Sequence, residues 1–225
     1  MCLFVARFHM IIAIDGPSGS GKSTLGRMLA HALKLLYIDT GSMYRAVALA
    51  TIEAEVDPND KEAVTALANR IDIDLEGDPD SLCVLLNGRD ITEQIRTESV
   101  TEMSSIVSTI PGVRRAMVER QRALGKRGAV LNGRDIGTVV FPDADVKFFL
   151  TAAAEERAER RFKEDQMTGS SSATYAETLA DMVERDRRDS TRADSPLKVA
   201  DDAIVIDSTG KSIDEVFRVM LSRIN

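Results

Sequence analysis

Cysteine and histidine are scarce in this chain. Cys2 and Cys83 are its two thiols, and their spacing matches neither a disulfide framework nor a metal motif. His9 and His31 are too few to build a zinc centre without other soft ligands. Positive charge is in deficit too: 29 Lys and Arg stand against 36 Asp and Glu, a formal net charge of −7, which argues against nucleic-acid and membrane partners. No apolar run reaches transmembrane length. What remains is an ordinary globular composition, 44% hydrophobic and 29% charged over 225 residues, enough for one substantial core with insertions. A reducing cytoplasm is the compartment that fits.

The opening MCLFVARFHMIIAID is apolar enough to raise the question of a secretory segment. Arg7 and His9 interrupt it, no polar region precedes it, and it flows directly into a glycine loop, so cleavage would remove a core strand. It reads as a short extension ahead of a strand starting near Met10. Continuous apolar runs at Met10–Asp15, Leu35–Asp39, Ala129–Asn132, Val146–Leu150 and Ala203–Asp207 suit parallel strands covered on both faces. Helical patterns at Lys22–Leu33, Ser42–Ala54, Ala154–Glu164 and Ile213–Ile224 follow the first, second, fourth and fifth of them. This alternation predicts an α/β sheet wound by crossover helices.

Two segments break the rhythm. Residues 57–127 contain a helix at Lys61–Ile71, then a strand, a Gly77-Asp78-Pro79-Asp80 turn and a second strand, then helices at Ser99–Thr109 and Val113–Leu124 separated by Pro111-Gly112. The second interruption, residues 163–198, opens as a polar Gly/Ser-rich loop and becomes an arginine-rich helix. Polar loops of small residues are natural moving lids.

The glycine loop itself, Gly16-Pro17-Ser18-Gly19-Ser20-Gly21-Lys22-Ser23-Thr24, spells G-x-x-x-x-G-K-S between an apolar strand and a helix. Without Cβ atoms, its glycines let the backbone curl and aim N–H groups at phosphate oxygens, and the following helix adds its positive end. Lys22 reaches the β- and γ-phosphates and the Ser23 hydroxyl is a Mg²⁺ ligand in such loops. In this context the stretch predicts ATP binding and a P-loop α/β/α fold with a five-stranded parallel sheet. A second GKS, at Gly210–Ser212, lacks the glycine five residues earlier, where Val205 stands, and reads as the loop after the last strand.

Asp207–Gly210 matches the D-x-x-G of GTPase switches, yet lies at the wrong end of the chain, and no N-K-x-D guanine signature occurs. Arginines around the expected loops fit phosphoryl transfer, in which charge spread over phosphate oxygens has to be neutralised. Arg134 and Asp135 fall just beyond an apolar strand, where open α/β sheets bind ligands. Arg185, Asp189 and Arg192 are spaced four and three apart, on one helical face. On these residues alone a kinase for a small alcohol, with Asp135 as base, and a non-catalytic ATP-dependent switch stay open.

GPSGSGKST, YIDTGSMYR, NGRDIGTVVFPDA and RDRRDSTRADSPL, in this order, resemble the bacterial cytidylate kinases, nucleoside monophosphate kinases of the P-loop class. The likeness runs from Met10 to the C-terminus and includes both interruptions. Residues 57–127 resemble the family's nucleoside-monophosphate-binding insertion with its small antiparallel sheet, and residues 160–180 its lid. The resemblance implies phosphorylation of CMP and dCMP by ATP with Mg²⁺, in a cytoplasmic enzyme taken here as a monomer. It implies that Gly16 to Thr24 bind ATP and that Arg157, Arg160 and Arg161 face its phosphates. Arg45, Arg134 and Arg192 would hold the acceptor phosphate, with Thr40 and Tyr44 beside it. Ser105, Arg114 and Asp135 would read the cytosine edge, and Arg185 and Asp189 would meet the ribose. An Asp acceptor, an Arg donor and a Ser hydroxyl do complement cytosine's amino group, ring nitrogen and carbonyl. Two departures stand out: Thr40 where relatives often carry serine, and Asn132 where an aspartate is common. The second leaves metal handling to Ser23 and the ATP phosphates, with Asp15 and Asp39 as the remaining carboxylates nearby.

Overall fold

The computed structural model describes residues 9–169 and 171–224. Cys2, the rest of the extension before His9, and Ser170 of the serine run lie outside them. The five apolar runs form β1 (Ile11–Asp15), β2 (Leu36–Asp39), β6 (Ala129–Gly133), β7 (Val146–Thr151) and β8 (Ile204–Asp207), numbered along the chain. They make one parallel sheet in the order β2-β6-β1-β7-β8, with β1 at its centre. Its Ile12, Ala13 and Ile14 are fully buried, as a strand covered on both faces requires.

One face carries Ile12, Ile14, Phe148 and Leu150 against Leu25 and Leu29 of α1 (Lys22–Leu33) and Val216 and Met220 of α8 (Ile213–Leu221). On the other face, Ala13, Ile38 and Leu131 meet Met43 and Val47 of α2 (Thr40–Glu53). Residues of the 57–127 insertion join that same apolar cluster: Val84, Leu86, Ile95, Val113 and Met117 are all buried in it. The insertion therefore has no separate core.

Within it run α3 (Lys61–Arg70), β3 (Ile73–Glu76), β4 (Cys83–Leu86), β5 (Arg89–Asp90), α4 (Glu98–Val107) and α5 (Pro111–Gly125). The three strands form an antiparallel sheet in the order β3-β4-β5. The expected strand pair lacked β5, although Asn87-Gly88 (φ 51° and 77°) is the tight-hairpin dipeptide that announces it. Pro111 does not separate two helices but starts the second, where its missing N–H costs nothing.

Other boundaries shift for local reasons. Helix α2 begins at Thr40 rather than Ser42, because Asp39, the last residue of β2, caps it by accepting from Gly41 N at 3.0 Å. Helix α6 (Ala154–Thr168) continues through most of the stretch expected to be loop. Helix α7 (Tyr175–Thr191) starts on a Thr174–Glu177 capping box, so only 169–174 separate the two. Phe162 and Tyr175 meet edge to face at 6.2 Å across that hairpin. After Asp135 comes a π-helical turn, Ile136–Val140, which the sequence pattern did not announce. No helix among the described residues is long and apolar enough to cross a membrane.

Candidate active site at the carboxyl edge of the sheet

The central strand β1 delivers the glycine loop to the carboxyl edge of the sheet. Gly16 has φ 147°, and a Cβ there would stand 2.0 Å from the Leu150 carbonyl oxygen of β7. Gly21, at φ 93°, caps α1. Gly16→Ala is therefore expected to push the loop off β7 at a cost of about 1–3 kcal/mol, read as a lower Tm together with weaker ATP binding; unchanged values for both contradict this close approach. Lys22 is buried and its Nζ donates to the Pro17 carbonyl at 2.5 Å, with Ser20 Oγ at 3.4 Å. Burial, then the nearby Arg134 and Arg185 guanidiniums, hold the ammonium well below the usual lysine range. The Ser23 hydroxyl accepts from Asn132 Nδ2 at 3.0 Å.

Arg157 of α6 is bonded to this loop. Its guanidinium donates to the Ser18 carbonyl (2.9 Å) and the Ala152 carbonyl (2.9 Å), and pairs with Asp186 of α7 at 2.7 Å. Arg160 turns toward the loop after β8, donating to Ser208 Oγ at 3.0 Å and to the Ser208 carbonyl at 2.9 Å. That loop borders the glycine loop through Ser208 Oγ and the Ser20 carbonyl, 3.5 Å apart. Arg161 bonds Asp165 at 3.0 Å and is one of the charges that act on Arg185.

Across from the glycine loop, the ends of β2 and β6 and the last turns of α7 present a charged network. Asp39 accepts from Gly41 N, from Ser42 Oγ at 2.8 Å and from Arg45 Nη2 at 3.2 Å. Burial pushes its carboxyl up, but Arg45 and these hydrogen bonds outweigh it and hold the group below the usual range. Thr40 is buried, its hydroxyl donating to the Asn132 carbonyl at 2.7 Å. Arg114 and Asp135 form a buried ion pair at 2.5 Å, with the Tyr44 ring 5.4 Å from the guanidinium carbon. The Tyr44 hydroxyl is buried without a hydrogen-bond partner among the described residues, and burial pushes it up to about 12. Ser105 is buried on the neighbouring α4.

Arg134 Nε donates to Asp189 at 2.8 Å. Arg192 lies 3.6 Å from Asp189 and 3.8 Å from Asp135, so one chain of charges links Arg114, Asp135, Arg192, Asp189 and Arg134. Arg185 is half-buried; burial, then Arg134, bring its guanidinium down to about 10, with Arg45 and Arg161 adding to the effect. A guanidinium crowded by other cations in this way stands ready for an anion.

This geometry can be set beside known proteins. A family model described as cytidylate kinase matches residues 12–225. The chain belongs to the cytidylate kinase family. It is 50% identical over 212 residues to the cytidylate kinase of Geobacter sp. (strain M21), covering 94% of this chain and 91% of the relative. The cytidylate kinase of Desulforamulus reducens is 50% identical over 216 residues, 95% of this chain and 96% of the relative. A solved structure of an uncharacterised protein from Eubacterium ventriosum superposes with a TM-score of 0.52 at 12% identity, over 96% of this chain and 98% of that one, a likeness of fold alone.

Of the residues the family resemblance singles out, Arg134 and Arg185 lie within electrostatic reach of Lys22, and Arg45, Arg134 and Arg161 within reach of Arg185, while Arg157 and Arg160 bond backbone carbonyls and side chains of the protein itself. Asp15 and Asp39 both accept protein hydrogen bonds on each carboxylate oxygen. Asp15 accepts from Ile136 N at 2.9 Å and Gly137 N at 2.8 Å, and burial pushes its carboxyl up to about 6. No cluster of three metal-ligating side chains occurs among the described residues. Ser23 and Asn132 still fit a Mg²⁺ carried by a nucleotide: the hydroxyl is held in place, and Asn132 Oδ1 is buried with no partner among the described residues. The Asn132–Ser23 contact was not expected from sequence; a polar residue closing an otherwise apolar strand was its one signal.

Proposed function

We propose that this chain transfers the γ-phosphoryl group of ATP to CMP or dCMP, giving ADP and CDP or dCDP. The observation that carries the reading is the pairing of two unlike sites at one sheet edge. A glycine loop with a buried lysine stands near Arg134 and Arg185, and beside them a buried Arg–Asp pair offers a donor and an acceptor fixed in space. Family membership supports the same assignment.

In this reading the acceptor is a phosphate oxygen already ionised at neutral pH, so no general base is needed, and catalysis is positioning and charge neutralisation. The loop amides and Lys22 hold the ATP phosphates. Arg45, Arg134 and Arg192 take the acceptor phosphate, Arg161 faces the ATP phosphates, and Arg185 stands beside Asp189 at the ribose. Arg114, Asp135 and Ser105 read the base, Asp189 meets the ribose, and Thr40 and Tyr44 line the wall. Ser23 would ligate Mg²⁺, which when bound neutralises phosphate charge. The α6–α7 hairpin closes over the site and excludes water, since an open site would hydrolyse ATP. The enzyme is taken as a cytoplasmic monomer with nucleotides as its partners.

An acceptor panel tests this directly. ADP release with ATP is expected on adding CMP or dCMP, and none on adding small alcohols. Alcohol turnover, or ATP binding without CMP-stimulated turnover, rejects the reading. Arg134→Ala is expected to lower CMP turnover by about 10²–10³-fold, the loss typical of one charge-stabilising donor; near-normal turnover contradicts its role.

A further inference from the structure

Asp15 ends β1, and its main chain runs straight into Gly16 and the glycine loop. It pairs in register with Gly133, the last residue of β6. From there its carboxylate crosses to the outgoing chain and accepts from two consecutive amides, one on each oxygen: Ile136 N at 2.9 Å and Gly137 N at 2.8 Å. These amides open the π-helical turn that follows Arg134 and Asp135. The first N–H groups of any helical turn lack partners within it, and an anion placed there satisfies them and suits the positive end of the turn.

The far end of this turn is held by an opposite charge. Arg122 of α5 donates to the carbonyls of Val140 at 2.8 Å and Val139 at 2.7 Å. In between, the Asp135 carbonyl receives both Val139 N (2.9 Å) and Val140 N (3.1 Å). The backbone of Asp135 is thereby tied to a turn clamped by an acid at one end and a base at the other. Neither clamp lies in the set of residues assigned to ligands.

We propose that Asp15 is a positioning residue that couples the two nucleotide sites: its main chain opens the donor loop while its carboxylate fixes the segment carrying Arg134 and Asp135. The relative placement of donor and acceptor is then set through a single buried side chain. The inference rests on the kinase reading above, with CMP as acceptor.

Asp15→Asn keeps the shape and one acceptor oxygen but turns an amide NH₂ toward a backbone N–H, so one of the two contacts is lost. Direct calorimetric titration is expected to show ATP binding within about twofold of wild type and CMP binding on the order of tenfold weaker, because the freed amide lets the turn carrying Arg134 and Asp135 leave its binding-competent position. Steady-state turnover is expected to fall further, up to about 10²-fold, because small misplacements of reacting groups are costly. Equal losses of ATP and CMP affinity, or wild-type kinetics, overturn the proposal. Should Asp15→Asn not fold, Arg122→Gln releases the opposite end of the same turn: a CMP-selective loss is expected, and unaltered CMP binding overturns the proposal. A wild-type enzyme that phosphorylates no CMP defeats the kinase reading instead, so the two failures are distinguishable.

Discussion

Lys22→Met is expected to lower turnover by about 10³-fold or more while leaving the glycine loop folded. The first half follows from charge. Phosphoryl transfer offers the protein little covalent chemistry, and a cation fixed against the transferring oxygens acts in a site with little water to compete. The second half follows from local bonding. In the structure Lys22 Nζ rests on the Pro17 carbonyl, but Ser20 Oγ also donates to that carbonyl at 3.0 Å, so removing the amine orphans nothing. Met fills the same buried stem volume. The Tm should therefore stay near the wild-type value while activity collapses, and a variant that loses both together assigns Lys22 a structural role.

The same residue gives a pH prediction. Burial, Arg134 and Arg185 hold the Lys22 ammonium well below the usual lysine range, so it loses its proton earlier than an exposed lysine as pH rises. A polyphosphate anion stabilises the charged form and moves the group back up. ATP binding is thus expected to take up protons, increasingly so as pH rises through the lowered range, and ATP affinity is expected to decline over that interval. Calorimetry in buffers of different ionisation enthalpy measures the uptake. Lys22→Met removes it; an equal uptake in the variant locates the proton on the nucleotide instead.

How much of this was legible in the sequence depended on whether the signal was local. The strands of the main sheet are short apolar runs because both their faces are covered, and that pattern survives with no knowledge of neighbours. The glycine loop is likewise contained in nine consecutive residues. Element ends were less legible, because a cap such as Asp39 decides them with one side chain, and the same residue reads equally well as loop. The π-helical turn was hidden for a stronger reason. Its amides are satisfied by Asp15, 121 and 122 residues away, and its last carbonyls by Arg122 from another helix. Nothing in the run Ile136–Val140 distinguishes it from a strand.

Arginine roles were the least legible of all. Arg157, Arg160 and Arg161 lie within five residues on one helix, yet one bonds the glycine-loop carbonyl of Ser18, one holds the Ser208 loop, and one pairs with Asp165. Arg157 and Arg161 are four apart with Arg160 between them, so spacing puts all three on one broad face, and only the partner each meets, Asp186, Ser208 or Asp165, tells them apart.

Arg114→Met is expected to cost about 3–5 kcal/mol, the usual consequence of leaving one member of a buried pair without its partner. With its side chain 2% exposed, Arg114 holds the Asp135 carboxylate at 2.5 Å and donates to the Ser108 carbonyl at 3.1 Å. Without it, the one cation left near Asp135 among the described residues is Arg192, at 3.8 Å, and Tyr44 loses the cation over its ring. For a chain of this size the change corresponds to a Tm lowered by roughly 6–20 °C. Instability alone does not separate the structural from the recognition role, because both predict lost activity. The double variant Arg114→Met, Asp135→Leu does, since replacing a whole buried pair by apolar groups of similar volume is often neutral. It is expected to recover most of the Tm and to bind ATP normally, yet to have lost CMP affinity, because a site built to hydrogen-bond a base edge cannot do so with hydrocarbon. Recovery of both stability and CMP turnover in the double variant assigns the pair to the fold and moves base recognition elsewhere.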